Sequence, residues 1–209
     1  MTFRHEKLKG EQRIPAARRY IVEHGLNELF DGRHSDLGLI VQGGLYNTLI
    51  RALQQFGLAD AFGQTDIPML VLNVTSPLVP EQLERFCDGK RAVLLLEEGQ
   101  PEYIEQELAT LLRRAGIATP LHGKDLLPRA GEYTAEVMAQ GLAGFVERYL
   151  PTDTGALASA RAWLQGNAQR RADVARAAGG PLPARPPGMC IGCGMYIGCG
   201  GAYMPIHGP

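Results

Sequence analysis

The chain has 209 residues, 45% of them hydrophobic and 21% charged, which suits one sizeable globular domain with flanking segments. Its net charge is −1 and its basic residues are scattered, so it lacks the basic face that a nucleic-acid partner requires. No apolar run reaches the roughly 18–20 residues of a bilayer span, and the charged start "MTFRHEKLKGEQR" has no secretory core; the expected setting is the cytoplasm, with no membrane partner.

In chain order, "RIPAARRYIVEHGLNELF" reads as a helix from near Pro15 to about Gly25, inside a helical lead-in over residues 1–35. From Asp36 the texture changes. Short apolar runs, "DLGLIVQGG", "PMLVLNV" and "RAVLLLEE", alternate with segments of helical period. Unbroken apolar runs of that length fit strands covered on both faces. In "LYNTLIRALQQFG", Leu45, Leu49, Ala52, Leu53 and Phe56 share one helical face, and Gly57 stands where a C-terminal cap belongs. Pro80 opens a shorter helix to about Cys87, an isolated cysteine expected as a small core residue.

The helix "PEYIEQELATLLRRAG" is the best specified. Pro101 suits its first position, Glu102, Glu105 and Glu107 its positive end, Arg113 and Arg114 its negative end, and Gly116 its stop. Ile104, Leu108, Leu111, Leu112 and Ala115 form its buried stripe, and a last short strand falls near Ile117–Leu121. Alternation of this kind, with right-handed crossovers, predicts an α/β fold: a doubly wound, mainly parallel sheet in three layers with flanking helices.

The α/β domain is expected over residues 36–150, closing with the helix in "GEYTAEVMAQGLAGFVERYLP". There Thr134 is the N-cap, Val137, Leu142, Phe145, Val146 and Tyr149 face inward, and Gly141 and Gly144 weaken the helix or permit close packing. An arginine-rich helix covers about 156–178 within a segment 151–179. Residues 180–209 open with "GPLPARPPG", too rich in proline for helix or central strand, hence an extended linker, and end in a Cys/Gly-rich tail.

Candidate chemistry is sparse. Gly43 and Gly44 stand at a strand-to-helix turn, where free amides meet anions in some α/β proteins. They match no dinucleotide or P-loop fingerprint, so a packing turn is the preferred reading. Glu97 and Glu98 end a strand on opposite faces, one expected to cap the following helix and the other to pair with a neighbouring cation. His122, Lys124 and Asp125 lie in a polar loop with no activated nucleophile nearby, expected as a surface connection. Cys190 and Cys193 have the CxxC spacing that brings two thiolates to one metal; Cys199 and His207 follow within reach. Spacing alone leaves zinc, part of an iron–sulfur cluster and no metal all open.

Several stretches together resemble one family. "DLGLIVQGGLYNTLIRAL", "RAVLLLEEGQPEYIEQEL", "LHGKDLLPRAGEYT" and "RPPGMCIGC" resemble the central part of indolepyruvate:ferredoxin oxidoreductase, a thiamine-diphosphate-dependent 2-oxoacid:ferredoxin oxidoreductase, from about Arg13 to Cys193. The resemblance implies that residues 36–150 are similar to the transketolase C-terminal domain, which serves packing and subunit contacts. It implies a parent enzyme that decarboxylates an aryl 2-oxoacid on thiamine diphosphate and Mg, passes electrons through iron–sulfur clusters to ferredoxin, and forms an acyl-CoA from coenzyme A. The family's pyrimidine-binding and iron–sulfur modules have no counterpart here, so no catalytic residue and no cofactor is expected in the chain itself. The related CxGC element of the superfamily can help hold an iron–sulfur cluster, which implies that role for Cys190 and Cys193 with the remaining ligands supplied from elsewhere. After Cys193 the sequence departs from the family pattern, and Cys199 and His207 have no counterpart. The implied partners are the remaining domains or subunits of the oxidoreductase, and ferredoxin for the parent. Two rivals remain: a stand-alone α/β binding or scaffold module with a zinc-stabilised tail, and a small enzyme with a deep pocket at the Gly43–Gly44 turn and the His122 loop.

Overall fold

The computed structural model describes residues 2–152 and 154–180. The Pro-rich linker from residue 181 and the tail with Cys190, Cys193, Cys199 and His207 lie outside the described residues. Strands β1 (Glu28–Phe30), β2 (Leu37–Gln42), β3 (Met69–Leu72), β4 (Ala92–Leu96) and β5 (Leu121–His122) form one sheet in the order β1-β3-β2-β4-β5. β3, β2, β4 and β5 run parallel, and β1 is an antiparallel edge. The expected α/β class is what the structure has.

The centre of the sheet explains its lack of alternation. All of β4 is buried, with Ala92, Val93, Leu94, Leu95 and Leu96 each at 0% exposure, because helices cover both faces. Leu37, Leu39, Val41, Ala92, Leu94 and Leu96 face helices α3 (Tyr46–Phe56), α6 (Ala135–Tyr149) and α7 (Thr154–Ala177). Ile40, Leu70, Leu72, Val93 and Leu95 face α4 (Pro80–Cys87) and α5 (Tyr103–Ala115). Cys87 is buried in that second layer. Gly57 and Gly116 end α3 and α5 with φ of +70° and +71°, the left-handed geometry that a Cβ resists.

Three expectations need correction, and the helix expected near Pro15 is not among them: it is α2 (Ile14–Glu23), entered from α1 (Thr2–Leu8) through a wide turn over Lys9–Arg13. The Ile14 amide donates to the Lys9 carbonyl, so the ladder is already in a wider register where Pro15 offers no donor. The lead-in is not purely helical, since it carries β1; three residues with Leu29 63% exposed leave no pattern to read. Helix α5 starts at Tyr103, not Pro101, because its first amides are capped from the end of β4 by Glu97. The last strand is confined to Leu121–His122.

Thr134 caps α6 as expected, its hydroxyl accepting from the Val137 amide at 3.4 Å. Gly141 lies on the buried face of α6 against Leu127, and a Cβ there would meet Leu127 Cγ at 2.9 Å and the Leu126 carbonyl oxygen at 3.2 Å. At Gly144 the nearest atom to such a Cβ is Leu126 Cδ2, at an ordinary 3.4 Å. Gly141→Ala is therefore expected to destabilise by about 1–3 kcal/mol through overpacking. Gly144→Ala is expected to stabilise by about 0.5–1 kcal/mol through helix propensity. Urea unfolding of the two variants measures this; equal midpoints would contradict the packing role of Gly141.

Candidate functional site at the switch point of the sheet

The chain leaves β2 towards β3 on one side and returns to β4 on the other, so the carboxyl ends of β2 and β4 form the switch point where open α/β sheets bind ligands. The residues brought there are Gln42, Gly43 and Gly44 after β2, Glu97 and Glu98 after β4, and Gly123, Lys124 and Asp125 after β5. The Glu98 amide donates to Gln42 Oε1 at 2.9 Å, a bridge across the crevice itself.

Glu97 is 5% exposed. Its two carboxylate oxygens accept from the Ile104 and Glu105 amides at 2.9 and 3.0 Å, meeting two of the free donors at the start of α5. Burial raises its pKa, and those two amides together with the Lys124 charge pull the other way. Lys124, 9% exposed, donates its amine to the Glu97 carbonyl oxygen and, at 2.8 Å, to the Tyr133 hydroxyl. Burial lowers the Lys124 pKa, with the charges of Glu97, Glu105, Glu102 and Glu98 opposing it. The Tyr133 hydroxyl donates to the Pro128 carbonyl at 2.6 Å, and its phenol is held above the ordinary range by burial and by nearby carboxylates. Glu98 accepts from the Tyr133 amide at 2.7 Å, and Glu105 Oε2 accepts from the Lys124 amide at 3.0 Å.

The next layer is built on His122, 6% exposed. Its Nδ1 lies 2.6 Å from Asp125 Oδ2 and its Nε2 2.7 Å from the Tyr149 hydroxyl. An ionised carboxylate only accepts, so Nδ1 carries the proton towards Asp125. The Gly123 amide donates to Asp125 Oδ1 at 2.8 Å. The expected surface loop is thus corrected at His122 and Lys124, which are buried polar residues tied to the sheet and α6. Glu98 pairs with a backbone amide, not with the expected cation, whereas Glu97 caps α5 as expected.

The Gly43–Gly44 turn is a short 3-10 segment, Gly43–Leu45. Asn73 packs on the Gly43 Cα, where a Cβ would collide with it. Asn73 Nδ2 donates to Glu28 Oε1 at 2.7 Å and to the Leu26 carbonyl at 2.9 Å. A carboxylate beside the turn repels an anion, and the adjoining cavity is only about 70 Å³. The turn does not fit a diphosphate, and it contradicts the deep pocket that a small enzyme would need there. Among the described residues no three His, Cys, Asp or Glu side chains come together as metal ligands. The Cys87 thiol is pushed up to about 12 by burial, which leaves it protonated.

The chain is 30% identical over 174 residues to indolepyruvate oxidoreductase subunit IorA of Methanothermobacter thermautotrophicus, an alignment that covers 82% of this chain and 23% of that subunit. The same subunit of Methanothermobacter marburgensis aligns at 28% identity over 79% of the chain and 22% of its own length, and that of Thermococcus kodakarensis at 27% over 75% and 21%. The chain is homologous to one segment of that subunit. It spans less than a quarter of the length of these relatives. No family model matches the chain. A solved structure described as a split gene transketolase, inactive beta4 tetramer, superposes with a TM-score of 0.38 at 15% identity, over 68% of this chain and 42% of that one.

Sequence reasoning missed Gln42, Asn73, Glu105 and Tyr149 as members of this network. None carries a local signal, because each is recruited from another element by the sheet order. Tyr133 and Lys124 do stand inside "HGKDLLPRAGEYT", one of the stretches that carry the resemblance. Burial alone would raise the Asp125 carboxyl, but hydrogen bonds from His122 and the Gly123 amide outweigh it and hold it below its ordinary 3.8. A carboxyl depressed by folding adds stability above its unfolded value, and that stability is lost as pH falls through the folded one. Asp125→Asn is thus expected to cost about 1 kcal/mol at pH 7, discounted for a half-exposed carboxylate. The gap to wild type should close below pH 3.8. Thermal unfolding across that range checks it, and a gap that persists at low pH would contradict the assignment.

Proposed function

We propose that this chain is a segment of an indolepyruvate oxidoreductase, serving domain packing and assembly and holding no catalytic group of its own. The observation that carries this reading is alignment along 82% of the chain with only 23% of the related subunit. The parent enzyme oxidatively decarboxylates an aryl 2-oxoacid to an acyl-CoA and reduces ferredoxin. In it thiamine diphosphate supplies the carbanion chemistry, and the protein supplies geometry and electron relay. The switch-point residues support a packing role, since Glu97, Lys124, His122 and Tyr133 are all engaged by protein partners. Among the described residues no helix is long and apolar enough to cross a membrane.

Cys190 and Cys193 belong, on this reading, to an iron–sulfur site completed by other parts of the enzyme. Two measurements test the proposal. Titration of the chain with thiamine diphosphate and Mg²⁺ by calorimetry is expected to give no saturable heat in the micromolar range; micromolar binding would overturn the packing role. Metal analysis of protein purified without oxygen separates the rest. Because the remaining ligands would come from elsewhere in the enzyme, neither metal is the expected result for the chain alone; iron with sulfide-to-iron charge-transfer bands would show that Cys190 and Cys193 hold a cluster without those parts, and stoichiometric zinc would favour a zinc-stabilised module using Cys199 and His207.

A further inference from the structure

Phe62 is 94% exposed, more than any other large hydrophobic residue among those described. A single exposed apolar side chain is ordinary on a protein surface. What distinguishes Phe62 is the rigidity of its mount. Asp60 Oδ1 accepts from the Phe62 amide at 2.8 Å and from the Gln64 amide at 2.9 Å. The Asp60 amide donates to the Gln64 carbonyl at 3.0 Å, and Gln54 Nε2 donates to the Asp60 carbonyl at 2.8 Å. Ala59 and Thr65 close the loop as an antiparallel bridge. Gly63, at φ +85°, makes the reversal, and a Cβ there would sit 3.2 Å from the Tyr46 hydroxyl. The hydrogen bonds therefore fix the backbone beneath an exposed aromatic ring, so that binding need not order the loop itself, which is the character of an interface anchor.

Beside it lies a cavity of about 550 Å³ whose charged lining is Asp31, Asp60, Asp66 and Arg33. Arg33 is bonded to Asp66 at 2.8 Å, so Asp31 and Asp60 leave the groove acidic. We infer that the Phe62 loop docks onto an apolar socket flanked by Lys or Arg, contributed by the part of the oxidoreductase that lies outside this chain. This rests on the family reading above. Two observations favour that occupant. Over three quarters of the relatives' length has no counterpart here. A two-fold contact centred on the loop would also set acidic groove against acidic groove.

The test replaces Phe62 with the photo-crosslinker p-benzoylphenylalanine in the chain expressed in its own host. Tyr103, 68% exposed on α5, carries the same probe in a parallel experiment. Capture from Phe62 of an oxidoreductase polypeptide, at a peptide containing Lys or Arg, is the expected result. Capture from Tyr103 alone would leave the family reading standing and overturn the docking surface. Capture from Phe62 of a second copy, or of an unrelated protein, would also overturn it. Capture from neither, with both proteins folded by circular dichroism, would overturn the docking surface. With the captured polypeptide purified, Phe62→Ala should weaken binding by about tenfold or more, and added salt should weaken the wild type; unchanged affinity in either case would contradict the inference.

Discussion

The complete burial of β4 governs the rest of this structure. A strand at 0% exposure over its whole length delivers the next residue, Glu97, into a place with little water. A carboxylate there must find donors, and the free amides at the start of α5 are the ones in reach. That capping interaction meets the first amides of a helix that starts at Tyr103. It also brings negative charge to the end of β4, where Lys124 crosses to reach the Glu97 carbonyl and Tyr133. The loop after β5, the end of β4 and the start of α5 are thereby locked as one unit.

The same lock decides how the switch point is read. Open α/β sheets use this crevice for ligands when amides and side chains there are left unpaired. Here Gln42 bridges the crevice, Asn73 fills the glycine turn, and the buried amine is bonded to a carbonyl and a phenol. Perturbed pKa values mark functional sites only when the groups also face a substrate. Glu97 and Lys124 are perturbed mainly by burial, and their partners are the protein itself. This is the chemistry of a well-fastened domain.

Much of the fold was legible because its signals are local. The apolar runs of β2, β3 and β4, the face of α3 and the glycine stops of α3 and α5 each fit within one element. The edge strand β1 was not legible, since three residues, two of them exposed, carry no periodicity. The burial of His122 and Lys124 was hidden for a different reason. Polar residues in a loop are expected in water, and the burial of these two rests on Asp125 within the loop and on Glu97, Tyr133 and Tyr149, drawn from three other places in the chain. The CxxC pair remains a reading of sequence, because Cys190 and Cys193 lie outside the described residues. The resemblance was legible in four separated stretches, and homology to one segment of the IorA subunit along 82% of the chain agrees with it.

Membership in an indolepyruvate oxidoreductase is tested most directly by purifying that activity from the organism that encodes this chain and mapping its peptides. Peptides of this sequence should rise in proportion to activity through every step and reach stoichiometry with the other subunits. A homogeneous, fully active preparation without them would contradict the assignment.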